Sequence, residues 1–307
     1  MKRIGIIVTD PASYPPQDTD NDTAPLCAAL RERGADARAL VWHDASVDWA
    51  SFDLLVIRSP WDYVDHAAEF AAVLDPIEAT GVPLRNDAAV IRWNMDKHYL
   101  AELADRGIGV VPTHYCDSSG EVDAALAALA ETGAGRAVVK PTVSAGSSRT
   151  GLFGVTDPAA RELADGILAA GGTVMVQPEI PELSEGREKA LYLVDGQLTH
   201  AIAKGALLAP GGGFIGGVYQ EHPVPVDASE SEEAFAVSVL TAVAEATGRV
   251  PLYGRIDLVE SAEFGMVLLE AELFEPDFHL DVVPEVVGPF AEAILDCAGY
   301  VAGRSTV

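Results

Sequence analysis

Apolar strands alternate with amphipathic helices along the first 92 residues, and this order constrains the fold more than any other feature of the chain. Strands that alternate with helices form a parallel sheet with right-handed crossover connections. Ligands of such sheets bind beyond the carboxyl ends of the strands, where this chain places Thr9–Tyr14 and Arg58–Tyr63. The predicted elements are strands at Ile4–Val8, Ala35–Trp42, Leu54–Ile57 and Val82–Leu84, and helices at about Ala24–Arg33 and Ala67–Ala79.

Two further units follow, so the sequence predicts three domains, at residues 1–92, 93–178 and 179–307. The second unit is predicted as a small α+β module that begins with a helix at Met95–Arg106 and contains a glycine- and serine-rich hairpin loop. The third unit is predicted to contain a β-hairpin with the turn Asp195-Gly196, a glycine-rich loop at 210–217, a helix at about Ser231–Thr247 and two strands that carry acidic residues.

Composition and charge exclude several classes of protein. The formal net charge is −27, which would repel nucleic acid and an anionic membrane surface. No apolar run approaches the roughly 18 residues of a membrane helix. The N-terminus is expected to be a first strand rather than a signal peptide, so a cytoplasmic protein is expected. Three widely spaced cysteines predict free thiols, and the histidines form no zinc motif.

Acidic residues occupy two apolar strands near the C-terminus. Glu270 and Glu272 are two residues apart in Met266–Pro276, and residues two apart on a strand point to the same face. The preceding strand pattern places Arg255 and Asp257 on one face in the same way. Three carboxylates beside an arginine favour Mg²⁺, because hard cations take oxygen ligands. The alternative is an exposed edge strand with solvated acids, although the residues that flank them are strongly apolar.

Lysines beside a loop of small residues predict an anion site. Lys140 ends the apolar strand pattern Val138–Pro141, where a charged amine is costly unless an anion pairs with it. The loop that follows, 143–151, has small residues and backbone N–H groups that can fold over phosphates, although it matches neither a P-loop nor a dinucleotide turn. Lys97 is a second candidate. The alternatives are an ordinary turn for the loop and a solvated helix residue for Lys97.

A polar link follows the apolar strand pattern Thr173–Gln177. Such a link can offer backbone groups to an adenine edge, and Glu182 or Glu185 could hold a ribose. The alternative is a plain connector between domains.

In order and spacing, these residues resemble the ATP-grasp superfamily across nearly the whole chain. The resemblance implies an N-terminal parallel-sheet domain, a small lid domain and a C-terminal mixed-sheet domain, with ATP between the last two. It also implies roles for individual residues. Lys97 and Lys140 would be the phosphate-side lysines, and Lys204 would lie nearer the γ-phosphate. The lid loop would include Ser144, Gly146, Ser147 and Ser148; the adenine hinge would be formed by Gln177, Glu179 and Ile180; and the ribose acid would be Glu182 or Glu185.

The resemblance further implies that Asp257 and Glu270 bind Mg²⁺ and that Arg255 faces the reacting carboxylate. One position departs from the superfamily pattern, because Glu272 stands where a Glu-x-Asn motif has asparagine. The site is therefore one charge more negative, which would favour two tightly held Mg²⁺ ions or a different substrate charge.

Three segments are similar to a narrower group, the D-cycloserine synthetases, which are O-ureido-D-serine cyclo-ligases. They are the Glu-x-Glu ending, Phe274-Glu-Pro276 and Arg58-Ser-Pro-Trp-Asp-Tyr63. This likeness implies a cytoplasmic enzyme of antibiotic biosynthesis that uses ATP and Mg²⁺, acts on a small amino acid and forms a homodimer.

The segment that ends at Tyr63 is the predicted amino-acid site. Arg58 would pair with a carboxylate, Asp62 with an ammonium group, and Trp61 or Tyr63 would form a wall. Phe278 and His279 could also approach the substrate. The alternative is a helix N-terminus packed by Trp61.

Three functions agree with these patterns. The first is a cyclo-ligase that activates a carboxylate as an acyl phosphate, which a nitrogen of the same molecule attacks. The second is an intermolecular carboxylate–amine ligase, which would require a second substrate. The third is a non-catalytic nucleotide-binding regulator, which retention of every candidate metal and phosphate residue disfavours.

Overall fold

The N-terminal sheet is parallel, as its alternating sequence predicts. In this computed structural model, which describes residues 1–13, 20–144, 148–206, 208–213 and 223–299, the strand order is β2-β1-β3-β4. The two central strands are almost completely buried, which explains their continuous apolar sequences. The elements of this unit are β1 (Arg3–Val8), α1 (Thr23–Glu32), β2 (Asp36–Val41), β3 (Leu54–Ser59), α2 (Ala67–Ala79) and β4 (Leu84–Arg85).

The predicted helix Met95–Arg106 is confirmed only over α4 (Tyr99–Asp105), because residues 95–98 form a turn that follows a separate short helix, α3 (Ala88–Asn94). The carboxylate of Asp96 accepts a hydrogen bond from the backbone N–H of His98 at 3.0 Å. Local bonds of this kind compete with helical ones. The break lets the backbone N–H of Lys97 donate to the carbonyl of Thr142 at 2.8 Å, which joins this turn to the next sheet.

That next sheet is antiparallel, with the order β5-β8-β6-β7. Its two long helices pack on the sheet around a separate apolar cluster. The predicted hairpin loop begins after the second of its strands in the chain, and residues 145–147 of that loop lie outside the described part. The elements are β5 (His114–Cys116), α5 (Ser119–Glu131), β6 (Arg136–Pro141), β7 (Gly151–Gly154), α6 (Pro158–Ala169) and β8 (Val174–Pro178).

The C-terminal sheet has the order β11-β10-β9-β12-β13, and all its named strands pair antiparallel. The sheet is mixed, as predicted, only through one parallel bridge, between Val110 and Leu268 at its edge. The elements are α7 (Pro181–Ser184), β9 (Glu188–Val194), β10 (Gln197–Lys204), β11 (Val224–Val226), α8 (Glu230–Thr247), β12 (Tyr253–Ser261), β13 (Gly265–Glu272) and α9 (Val287–Cys297).

Two buried asparagines fasten the acid-bearing strands to the N-terminal half of the chain. The Asn94 amide donates to the carbonyl of Ala271 at 2.7 Å, and its oxygen accepts from the N–H of Leu273 at 2.9 Å. Asn86 accepts from the N–H of Leu252 at 2.6 Å and donates to the carbonyl of Tyr253 at 2.7 Å. Buried polar groups need such partners, so these bonds fix where β12 begins and where β13 ends.

The main apolar core is shared between the N-terminal and C-terminal units, because α1 and α9 pack together and one cluster of buried residues includes side chains from both. The domain boundaries near residues 92 and 178 stay predictions. No helix in the described ranges is long and apolar enough to cross a membrane.

We expect Gly109→Ala to destabilise the protein by about 1–3 kcal/mol. A Cβ at this position would lie 2.5 Å from the backbone carbonyl oxygen of Met266 in β13, which cannot move without shifting the strand. Urea unfolding would measure the loss. The matched control is Gly166→Ala in α6, where a Cβ meets nothing within 4 Å and a gain of about 0.5–1 kcal/mol is expected. Equal effects of the two substitutions would contradict the tight contact at Gly109.

Candidate active site

An open cavity lies between the lid sheet, β5-β8-β6-β7, and the C-terminal sheet. Its volume is about 160 Å³, and it opens to solvent. One end is charged and the other is largely apolar. The charged end is lined by Lys97, Lys140, Glu188, Lys204, Asp257 and Glu270, and the apolar end by Val111, Val138, Leu152, Ile180, Leu183, Leu208 and Leu269.

Strand register brings the predicted acids together. In the β12–β13 pair, Asp257 lies opposite Glu270, and Arg255 lies opposite Glu272. Directly opposed residues of antiparallel strands have side chains on the same face and in contact range. The four side chains therefore form one charged row, as the two-residue spacing predicts.

Each of the three acids in this row contacts a cation. Lys97 Nζ lies 3.0 Å from Glu270 Oε1, and Lys204 Nζ lies 3.0 Å from Asp257 Oδ2. Arg255 binds both oxygens of Asp257, at 2.8 and 2.9 Å, and also contacts Glu272. Such pairs offset the cost of placing charges away from water.

The two acids of the charged row that line the cavity, Asp257 and Glu270, are ionised. Burial opposes ionisation of Glu270, but Lys97 and Lys140 hold its pKa below the usual value. Burial also opposes ionisation of Asp257, and its pKa is lowered by Arg255 and Lys204. These two groups therefore present oxygen ligands with full negative charge to the cavity.

Lys140 lacks a contact partner of this quality, and its environment disfavours its charge. Its side chain lines the cavity, and its burial, opposed by Glu270, lowers its pKa to about 8. Lys97 differs, because Glu270 more than offsets burial and raises its pKa. The amine of Lys97 also donates to the carbonyl oxygen of Ser144 at 2.7 Å, which holds the start of the hairpin loop at the cavity.

The donor set fits Mg²⁺ in part. Asp257 and Glu270 are opposed carboxylates at the cavity wall, and Mg²⁺ is usually held by one or two carboxylates together with waters and phosphates. Within the ranges that the structure describes, no group of three Asp, Glu, His or Cys side chains converges as a metal centre. Glu272 contacts Arg255 and does not line the cavity, so its role as a third ligand stays a prediction.

The polar link after β8 lies at the cavity, and its contact with a nucleotide base stays a prediction. Gln177, Glu179 and Ile180 all line it. The Gln177 amide is held by Thr113 at 2.8 Å, and the Glu179 carboxylate by Arg136 at 3.1 Å.

Neither predicted ribose acid lines the cavity, so the role of Glu182 or Glu185 at a ribose stays a prediction. The Glu182 carboxylate accepts from the backbone N–H of Ala262 at 2.9 Å and so caps the turn between β12 and β13. Glu185 pairs with Arg187 at 2.7 Å on the surface. Ser184, between the two acids, lines the cavity instead.

The predicted lid loop is described only in part. Ser144 and Thr150 line the cavity, whereas Ser148 is exposed outside it. Gly146 and Ser147 lie outside the described residues.

Arg58 is not available to a substrate carboxylate, so that expectation is wrong. Its side chain is 1% exposed. The guanidinium donates to Asp22 at 3.0 Å and to the carbonyl of Pro276 at 2.9 Å. It also lies over three aromatic rings, within 5.2 Å of each centroid: those of Tyr253, Phe278 and Phe290. Phe278 is completely buried in the same cluster, which removes it from the candidate substrate residues.

The other three residues of the predicted amino-acid site have partners of their own. Asp62 accepts hydrogen bonds from Thr9 at 2.7 Å and Trp42 at 2.6 Å, which ties together the carboxyl ends of the parallel strands. Trp61 and Tyr63 donate instead to Glu275, at 2.8 Å to its backbone oxygen and 2.9 Å to its carboxylate.

Sequence reasoning missed Glu188, Ser184 and Glu275. Glu188 begins β9 and lies 3.3 Å from the amine of Lys204. The pairing of β9 with β10 places these two residues opposite each other, and this pairing alone could have suggested the contact. Glu275 lies three residues beyond β13, where the strand periodicity no longer applies. Its only signal was its place in the segment Phe274-Glu-Pro276.

Comparisons with known proteins agree with the family that the sequence resembles. Residues 5–86 match the family model described as D-cycloserine synthetase DcsG, N-terminal domain. The chain is 35% identical over 299 residues to the cycloserine biosynthesis protein DcsG of Streptomyces lavendulae, across 94% of this chain and 97% of that protein. The crystal structure of D-cycloserine synthetase DcsG is 32% identical, with a TM-score of 0.86 over 96% of this chain and 99% of that one.

A more distant structure bears on the fold alone. The ATP-grasp ligase PsnB, in complex with its minimal precursor, is 17% identical, with a TM-score of 0.65 over 98% of this chain and 100% of that one. The fold is therefore the ATP-grasp fold, as the sequence predicts.

We expect Lys140→Met to stabilise the ligand-free protein at pH 7 by about 1–3 kcal/mol, because each pKa unit corresponds to about 1.4 kcal/mol. The pKa of this amine falls from 10.5 to about 8 on folding, so the unfolded chain binds more protons between these values. Wild-type stability therefore rises with pH over that window. The advantage of the variant should be greatest below pH 8 and shrink towards pH 10.5, as measured by urea unfolding across the window.

Lys2→Met is the control, since it removes a lysine that lies in a surface ion pair with Asp53. An advantage of Lys140→Met that stayed constant from pH 7 to pH 10 would contradict the role of the buried charge.

Proposed function

Because this chain belongs to the D-cycloserine synthetase family of ATP-grasp ligases that join carbon to nitrogen, we propose that it closes O-ureido-D-serine to D-cycloserine at the expense of ATP. The observation that carries this proposal is the pair Asp257 and Glu270, ionised and opposed at the wall of a cavity that also contains three lysines. Acids and lysines in one cavity suit a phosphorylated ligand with its metal, since phosphates need cations and cations need oxygen ligands.

ATP would lie along the cavity with its base at the apolar end. The link that includes Gln177 and Ile180 would face the adenine, and Val111 and Leu183 would cover its ring. The triphosphate would extend to Lys97, Lys140 and Lys204 at the charged end. An anion beside Lys140 would favour its charged form, which burial disfavours in the ligand-free protein.

Asp257 and Glu270 would hold Mg²⁺, and the pattern Glu-x-Glu suggests two ions with Glu272 as a further ligand. When bound, the metal neutralises charge on the phosphates and orients them for transfer. Lys97 and Lys204, which now pair with these acids, can then contact phosphate oxygens without leaving an acid uncompensated.

The reaction requires a better leaving group than a carboxylate offers. Transfer of the γ-phosphoryl group to the substrate carboxylate gives an acyl phosphate and ADP. Attack by the oxygen-bound ureido nitrogen then forms the ring C–N bond, breaks the bond to phosphate and releases a proton. The ring still carries the carbamoyl group, which water must remove. An attacking nitrogen in the same molecule has a high effective concentration.

Arg255 is the proposed partner of the reacting carboxylate. It lies opposite Glu272 on the acid row and is 6% exposed. A guanidinium fixed by two carboxylates keeps a planar set of donors in one orientation, which suits recognition of a further planar anion.

We expect release of ADP and phosphate with Mg²⁺-ATP and O-ureido-D-serine as the sole carboxylate, together with a cyclic product detected by mass spectrometry. Glu270→Gln should reduce turnover at least about 100-fold, because loss of an electrostatic or metal-binding group at a reacting centre typically costs that much. Glu260→Gln, an exposed acid of the same strand pair, should leave turnover unchanged.

Other substrates separate the alternatives. Turnover that requires a second amino acid would replace the proposal with an intermolecular carboxylate–amine ligase. ATP binding without turnover for any carboxylate would leave a nucleotide-binding regulator.

A further inference from the structure

Glu275 is a buried acid at the junction between the charged row and the N-terminal unit, and the proposed reaction assigns it no role. It lies three residues beyond β13 and is 8% exposed. Its carboxylate lies close enough to Glu270, Lys97 and Arg255 for their charges to influence it. It is therefore part of the same electrostatic site, although its side chain does not line the cavity described above.

The segment Arg58–Tyr63 holds this acid in place by three hydrogen bonds. Tyr63 Oη donates to Glu275 Oε1, Trp61 Nε1 donates to the Glu275 carbonyl, and Arg58 donates to the next carbonyl, that of Pro276. Burial and the neighbouring Glu275 raise the pKa of Tyr63 well above its usual value, so its phenol stays protonated and donates. The Tyr63 hydroxyl therefore orients the Glu275 carboxylate, and the other two donors fix the backbone of Glu275 and Pro276.

A charge count shows what Glu275 lacks. Among the described side chains of the site, five are acidic and four are cationic, namely Lys97, Lys140, Lys204 and Arg255. Four of the acids lie within 3.3 Å of a cationic nitrogen: Glu188, Asp257, Glu270 and Glu272. Across the described ranges, no lysine, arginine or histidine nitrogen lies within 4.0 Å of the Glu275 carboxylate.

This imbalance has an electrostatic cost. Burial, together with repulsion from Glu270, raises the pKa of Glu275 to about 7 although the Tyr63 hydroxyl favours the ionised form. A buried carboxylate whose pKa is raised in this way is stabilised most by a cation that also donates hydrogen bonds to it.

We propose that Glu275 binds the α-ammonium group of the amino-acid substrate. This inference rests on the proposed function, because it takes the substrate carboxylate to face Arg255. The ammonium and carboxylate groups of an α-amino acid are attached to the same carbon, so the two protein groups that recognise them must lie near each other. The charge of Arg255 influences the Glu275 carboxylate. Glu272, which contacts Arg255, lies three residues before Glu275 in the sequence. The amino acid would then supply the fifth cation.

The test is binding rather than turnover. Isothermal titration calorimetry in the presence of Mg²⁺ and a non-hydrolysable ATP analogue would compare O-ureido-D-serine with the analogue that has hydrogen in place of its α-amino group. Wild-type protein should bind O-ureido-D-serine about 10- to 100-fold more tightly than the deamino compound, as expected for a hydrogen bond between charged groups.

Glu275→Gln keeps the volume of the side chain and an acceptor for Tyr63. It should weaken binding of O-ureido-D-serine by about 10- to 100-fold and leave binding of the deamino compound within about threefold, so that the preference disappears. Affinity for the ATP analogue and the urea-unfolding midpoint should show that the fold and the nucleotide site are intact. Glu260→Gln, the exposed acid used above as a control, should retain the full preference.

Three outcomes would overturn the inference. The first is an unchanged preference in Glu275→Gln. The second is equally weakened binding of both compounds in that variant, which would show that the role of Glu275 is purely structural. The third is wild-type protein that binds no amino acid. Failure of ring closure is a separate result, because an enzyme that binds the amino acid through Glu275 but makes no cyclic product contradicts only the proposed function.

Discussion

The charged row across β12 and β13 is the arrangement on which the rest of the molecule depends. Asp257 and Glu270 can lie side by side in a sparsely hydrated site only because Lys204, Arg255 and Lys97 compensate them. The three cations come from different parts of the chain. The break between α3 and α4, the end of β10 and the register of β12 therefore all have to be correct for the carboxylates to stay ionised. This requirement links the fold of the whole C-terminal half to the chemistry of one face.

The described part of the N-terminal unit contributes by positioning rather than by lining the cavity. Its segment Arg58–Tyr63 was predicted to contact substrate directly, but Arg58 is enclosed by Asp22 and aromatic rings and Asp62 is bonded to its own sheet. The segment instead provides hydrogen-bond donors to Glu275 and Pro276. The carboxyl edge of the parallel sheet thus acts on the site through the residues that follow β13. This explains why the segment is rich in groups that donate hydrogen bonds.

Local patterns in the sequence were sufficient to predict the strands, the long helices and the acid row, because a two-residue period places Glu270 and Glu272 on one face whatever surrounds them. Lys140 was identified on similar grounds, as a charge at the end of an apolar strand. The errors concern partners distant in sequence. Nothing near Glu182 indicates that it caps a turn 80 residues later, and nothing near Arg58 reveals three rings from the C-terminal third. The helix predicted at Met95–Arg106 begins only at Tyr99, because the Asp96 side chain competes locally with helical bonding.

The ligand-free site is electrostatically unsatisfied at two places, and the two defects have opposite sign. Lys140 is a cation whose charge burial disfavours, and Glu275 is an acid with no cationic contact among the described residues. A hydrophobic replacement of Lys140 would be better for stability alone. The cost of the two groups becomes useful when an anion reaches the first and a cation reaches the second, since each ligand then gains interactions that the empty protein cannot make internally. A zwitterionic substrate beside a polyphosphate meets both needs together, so binding energy is concentrated where the two molecules meet, at the point of phosphoryl transfer.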